Sequence, residues 1–90
     1  LTTNPRAVAP KRKLGTIYLK QGRTDLAIEQ YEAVLAKTPD DIEAHYYLGN
    51  IQLAGKELAS ARRHYEAVLN TDPSHFAARR RLQAVMELMD

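Results

Sequence analysis

The sequence predicts an all-α protein built as a row of antiparallel helix pairs. Three observations carry that prediction. First, the chain repeats itself every 34 residues: Leu1, Leu35 and Leu69; Pro5, Pro39 and Pro73; Leu14, Leu48 and Leu82; Gly15 and Gly49; Ala27 and Ala61. The string Tyr31-Glu32-Ala33-Val34-Leu35 returns unchanged as Tyr65-Glu66-Ala67-Val68-Leu69. A fixed period of this length marks stacked copies of one supersecondary unit, none able to bury its apolar face alone. Second, apolar residues between the breaks follow the helical period. Third, the breaks are short and rich in Gly, Pro and Asp, and no stretch reads as a strand.

Five helices follow in order. Residues 9–21 form the first, with Pro10 in its first turn, where a missing N–H costs little, and Gly22 at its end. Thr24 or Asp25 caps a second helix running to about Lys37, whose Leu26, Ala27, Tyr31, Val34 and Leu35 share one face. Thr38-Pro39-Asp40-Asp41 breaks the chain, and Asp40 with Glu43 has the form of a capping box. The third helix covers about 41–54 and stops at Gly55; the fourth covers about 57–71 and stops before Pro73. Ser74 caps a fifth helix reaching about Leu88. Short loops make neighbouring helices antiparallel. Gly15 and Gly49 admit a close helix, and the small Ala27 and Ala61 are expected to meet them. Tyr31 and Tyr65 are expected to fill the space where one unit stacks on the next.

Leu14-Gly15, Tyr18, Gly22, Ala27, Tyr31, Val34-Leu35 and Pro39, repeated as Leu48-Gly49, Ala61, Tyr65, Val68-Leu69 and Pro73, resemble the tetratricopeptide repeat. Lys11, His45, Gln52 and the early Gly55 depart from its usual pattern. The resemblance implies a right-handed α-solenoid. Residues 1–7 would be the tail of an upstream repeat or a linker, 8–41 and 42–75 two repeats, and 76–90 a capping helix. Leu1 to Pro5 has the form of Leu35 to Pro39, so a longer array is expected. The last helix carries an apolar stripe, Ala78, Leu82, Val85, Met86 and Met89, for packing backward. Arg79 and Gln83 face water, and Met86 leaves apolar area for a homodimer through this helix.

Composition narrows the function classes. The chain has no cysteine, which removes disulfides, thiolate zinc sites and cysteine nucleophiles. No apolar run approaches the ~20 residues of a membrane span. Net charge is only +2, but two basic ends flank an acidic middle: residues 1–23 carry six cations and no acid, and residues 24–75 carry four cations and nine acids. Nucleic-acid binding through Lys11–Lys13 and Arg79–Arg81 is disfavoured by that middle and by the absence of a recognition motif. His45, His64 and His75 are far apart in sequence with no ligand spacing. Ser60 and His64 share a helix face, yet nothing supplies an oriented base or an oxyanion site. The sequence supports no enzyme, metal or cofactor.

The resemblance places the first helix of each unit on a concave face, lined by Arg12, Thr16, Leu19 and Lys20, then Glu43, Tyr46, Tyr47, Asn50 and Leu53, then Arg80, Arg81, Ala84 and Leu88. Helical spacing independently puts Arg12, Thr16 and Leu19 on one face, and Tyr46, Asn50 and Leu53 on another. Cations at both ends with tyrosines and an Asn between suit an extended or helical acidic protein segment, because Arg binds carboxylates bidentately. Members that bind chaperone tails clamp a carboxylate with Lys, Arg and Asn. Arg12 and Arg81 match two basic positions, but Thr16, Tyr47 and Ala77 replace the rest, so that specificity is not expected. The alternative is an architectural, self-associating module.

Overall fold

A computed structural model describes residues 8–90. It contains α1 (Val8–Lys20), α2 (Thr24–Lys37), α3 (Ile42–Ala54), α4 (Leu58–Thr71) and α5 (Phe76–Met89), and no strand among the described residues. Each helix packs chiefly on its neighbour in sequence. The result is elongated, 46 × 28 × 18 Å. The expected tail of an upstream repeat, residues 1–7, lies outside the described residues.

The turns inside the two repeats are built alike. In the first, Gly22 takes a left-handed φ of 76°. The Arg23 N–H reaches back to the Tyr18 carbonyl at 2.8 Å and the Gly22 N–H to that of Leu19 at 3.0 Å. This pair of bonds closes a helix end on its own last carbonyls. In the second repeat the same bonds run from Glu57 to Gln52 at 2.8 Å and from Lys56 to Leu53 at 3.1 Å. There Lys56, not Gly55, takes the left-handed φ, at 62°, while Gly55 has φ −86°. Backbone closure also explains why the expected Thr24 or Asp25 cap is absent: Arg23 and Glu57 precede α2 and α4 with no side-chain cap bond.

Caps at the other two starts sit one residue later than expected. Asp41 rather than Asp40 caps α3, its Oδ1 accepting the Ala44 N–H at 2.9 Å. His75 rather than Ser74 caps α5, its Nδ1 accepting the Ala78 N–H at 3.0 Å. Ser74 instead donates its N–H and hydroxyl to Asp72 Oδ1, at 3.1 and 2.7 Å. Those bonds lower the Asp72 pKa. Each cap stands two residues past a proline, so the Pro39 and Pro73 corners set the register.

The core is a chain of two linked clusters. Ala27, Tyr31, Val34, Ala44 and Leu48 form one, between α2 and α3. Ala61, Tyr65, Val68, Ala78 and Val85 form the other, between α4 and α5. The glycines meet tyrosine rings, not the expected alanines. A Cβ on Gly15 would come within 2.8 Å of the Tyr31 ring, and one on Gly49 within 2.8 Å of the Tyr65 ring. Each ring is wholly buried, where its area contributes about 1.5–3 kcal/mol. Tyr31 also reaches the next unit, stacking on Tyr47 with ring centroids 5.5 Å apart.

Position in the row decides burial of equivalent residues. Leu48, flanked by helix pairs on both sides, is 3% exposed, whereas Leu14 on α1 is 36% exposed. On α5, Ala78 and Val85 pack backward as the stripe requires. Met86 and Met89 do not: they are 48% and 44% exposed. Gln52 stands where the first repeat has Tyr18, and its Oε1 is buried without a hydrogen-bond partner.

Candidate functional site

Two clefts lie against α3, one toward α5 and one toward the α1–α2 turn. Tyr46 and Leu53 of α3 line the first with Ala77, Arg80, Arg81 and Ala84 of α5; its volume is about 390 Å³. Leu19 and Thr24 line the second with Tyr47, Asn50, Ile51 and Ala54; its volume is about 350 Å³. Seven of the ten residues assigned to the groove from sequence therefore line these clefts: Leu19, Tyr46, Tyr47, Asn50, Leu53, Arg80 and Arg81.

The other three line neither. Arg12 Nε donates to Asp41 Oδ2 at 2.8 Å, so its guanidinium braces the residue that caps α3. Thr16 Oγ1 lies 2.8 Å from the Tyr31 hydroxyl and 3.2 Å from the Arg12 carbonyl oxygen. Lys20 is exposed at the end of α1. Thr16 has a counterpart in Asn50, whose Oδ1 accepts the Tyr65 hydroxyl at 2.6 Å. In each unit, then, one polar residue of the first helix holds the hydroxyl of the buried tyrosine of the second. Burial raises the Tyr65 pKa to about 12 and raises that of Tyr31, so both phenols stay neutral and able to donate.

Tyr46 organises the floor of the first cleft. Its ring meets Tyr47 edge-on with centroids 5.6 Å apart, and lies 5.1 Å from the His75 ring. Its hydroxyl accepts from Arg81 Nε at 2.9 Å, and the Arg81 guanidinium carbon stands 5.8 Å from the ring centroid. That hydrogen bond to Tyr46 raises the Arg81 pKa further. The buried Tyr65 hydroxyl also bears on the guanidinium, whose exposed side still presents N–H donors to a carboxylate. Arg80 lies over the Phe76 ring at 5.7 Å, leaving two exposed cations side by side at the rim.

Two histidines read from sequence as unrelated meet across α3 and α4. His45 Nδ1 and His64 Nδ1 are 2.9 Å apart, and His45 Nε2 lies 2.7 Å from the Pro39 carbonyl oxygen. A carbonyl only accepts, so His45 carries a proton on Nε2. When both rings are neutral, His64 Nδ1–H then donates to His45 Nδ1. Burial lowers the His64 pKa, helped by the positive charges of His45 and Arg63. Ser60 does not join them; its hydroxyl accepts from Arg63 at 3.3 Å. Reflecting positions through the α3–α4 turn would have paired these histidines, whereas linear ligand spacing could not. Among the described residues no group of three or more His, Asp or Glu converges as a metal site. No helix among them is long and apolar enough to cross a membrane.

The family model for the tetratricopeptide repeat matches residues 12–76. The chain belongs to the tetratricopeptide repeat family. The match covers most of α1, all of α2, α3 and α4, and the start of α5. Comparison with curated proteins found no match. Tetratricopeptide repeats generally mediate protein–protein interactions and form a family of scaffolds that are in general non-catalytic.

Proposed function

We propose that this tetratricopeptide domain holds an extended or helical, acidic segment of a partner protein along α1, α3 and α5. The observation that carries this reading is the α3–α5 cleft. Tyr46 and Leu53 give it an apolar floor, and Arg80 and Arg81 give it a cationic rim. Tyr46 fixes Arg81 before a ligand arrives, which reduces the side-chain entropy lost on binding. The acidic residues of the chain lie mainly between its basic ends, so the charge pattern draws a carboxylate-bearing segment to those ends, where Arg80 and Arg81 supply the cations on α5. A face of this size binds weakly alone and gains through linkage to further sites.

The test is fluorescence anisotropy with a labelled decapeptide alternating Glu and Leu, titrated at low and moderate salt. Arg80→Ala with Arg81→Ala should weaken binding by about tenfold or more, since a hydrogen bond to a charged group contributes ~1.5–3 kcal/mol. Tyr46→Phe, which removes the acceptor for Arg81 Nε, should weaken it less. Binding that survives Arg80→Ala and Arg81→Ala unchanged refutes the assignment.

The exposed face of α1 supports a longer array. Leu14 and Ile17 are 36% and 43% exposed, while the equivalent Leu48 is buried against α2. A parent sequence without a further repeat before Leu1 would contradict that extension. A second reading, self-association through α5, is favoured by the exposure of Met86.

A further inference from the structure

We propose that two copies of this chain pair antiparallel through a seam on α5, in a symmetric dimer; this rests on the self-association reading and gives it a geometry. The seam is a shallow cavity of about 470 Å³ lined by Arg79, Leu82, Gln83, Met86, Glu87 and Asp90. Arg79, Gln83, Met86 and Asp90 follow a four-three-four spacing, which keeps one straight stripe facing a partner helix.

The 34-residue register shows what this surface corresponds to. Arg79, Gln83 and Met86 are equivalent to His45, Gly49 and Gln52 of α3, and His45 and Gly49 meet α4. A helix of the α2 or α4 kind docks there by laying a tyrosine ring on the glycine. On α5 that glycine is replaced by Gln83. Even a lone Cβ at Gly49 would stand 2.8 Å from the Tyr65 ring, so a full Gln side chain closes this mode of docking. What fits instead is a helix at an ordinary interaxial distance of ~8–10 Å, with side chains interleaved.

Charge along the seam selects the occupant. Arg79 stands at the N-terminal end, Leu82, Gln83 and Met86 in the middle, and Glu87 and Asp90 at the C-terminal end. Such a stripe complements its own reverse. With two copies antiparallel about the point between Gln83 and Met86, Arg79 faces the partner's Glu87 and the partner's Asp90. Met86 packs against the middle of the opposing stripe. A two-fold axis makes each contact twice from one surface, and antiparallel apposition also sets the helix dipoles head to tail. Arg79 is held in place for this role, with its Nη2 donating to the Pro73 carbonyl at 2.5 Å. One helix face buries less than the ~1,200–2,000 Å² of a standard interface, so the dimer forms at high protein concentration and loosens with salt.

Sedimentation velocity from micromolar to millimolar chain, at low and high salt, tests the proposal. The wild type should dimerise at low salt, and Met86→Glu should abolish the dimer while circular dichroism stays helical. Arg79→Glu alone, and Glu87→Arg with Asp90→Arg alone, should each weaken self-association at least about tenfold. An equimolar mixture of those two variants should dimerise again, because every opposing pair is then of opposite sign. A wild type that stays monomeric throughout overturns both self-association and this seam. A dimer indifferent to Met86→Glu keeps self-association and overturns the seam. A mixture that fails to recover overturns the antiparallel arrangement.

Discussion

Gly49→Ala probes the contact that locks the second repeat. The new Cβ would stand 2.8, 3.0 and 3.1 Å from Cε1, Cζ and Cδ1 of Tyr65, where carbon–carbon contacts prefer ~3.5–4.0 Å. The ring has little freedom to retreat: it is wholly buried, and its hydroxyl is held by Asn50 at 2.6 Å. Overpacking of a core costs ~1–3 kcal/mol, and an immobile ring places this case near the top of that range. Alanine's better helix propensity returns about 1 kcal/mol. The net loss is about 2 kcal/mol, equivalent to a fall in Tm of ~8–16 °C for a domain of this size. Thermal and urea unfolding measure it. Adding Tyr65→Leu removes the obstructing ring atoms, so in that background Gly49→Ala should be neutral or stabilising. A Gly49→Ala protein as stable as the wild type would refute the reasoning.

Three further outcomes follow from the same geometry. Lys56→Gly should stabilise the chain by about 1 kcal/mol in urea unfolding, since a side chain at this left-handed φ costs ~1–2 kcal/mol, part of it offset by the greater freedom of unfolded glycine. Asp41→Ala should cost about 1–2 kcal/mol in the same assay, because it removes the α3 cap and the partner of Arg12 together. The folded His64 pKa is lowered, so the unfolded chain binds the proton first as pH falls. Stability should therefore be full above about pH 6.5 and decline below it, and His64→Gln should flatten that decline in denaturation curves at stepped pH.

Much of the fold was legible because three of the four breaks contain a residue with one structural meaning, the exception being the α3–α4 break, where Lys56 and not Gly55 takes the left-handed turn. Pro39 and Pro73 end helices wherever they stand, and Gly22 marks a left-handed turn by itself. The caps were less legible: Asp40 and Asp41 are adjacent acceptors, and only backbone direction past Pro39 chooses between them. Gly15 and Gly49 announced a close approach but not its partner, since small residues show where room is left and not which ring enters it. The groove followed the same division. Helical spacing grouped Tyr46 with Leu53, which share the α3–α5 cleft, but it also placed Asn50 with them, and Asn50 lines the other cleft. Spacing could not show that Arg12 is tied to Asp41, 29 positions away, or that Asn50 already holds Tyr65. Those pairings depend on how helices cross.

Backbone amide mapping by NMR gives the most direct test of the central claim, that the first helix of each pair carries the binding face. Titrating the labelled protein with the Glu–Leu decapeptide should move resonances of Tyr46, Tyr47, Asn50, Leu53, Arg80 and Arg81 and leave the outer faces of α2 and α4 unchanged. Shifts confined to α2 and α4 would contradict the account.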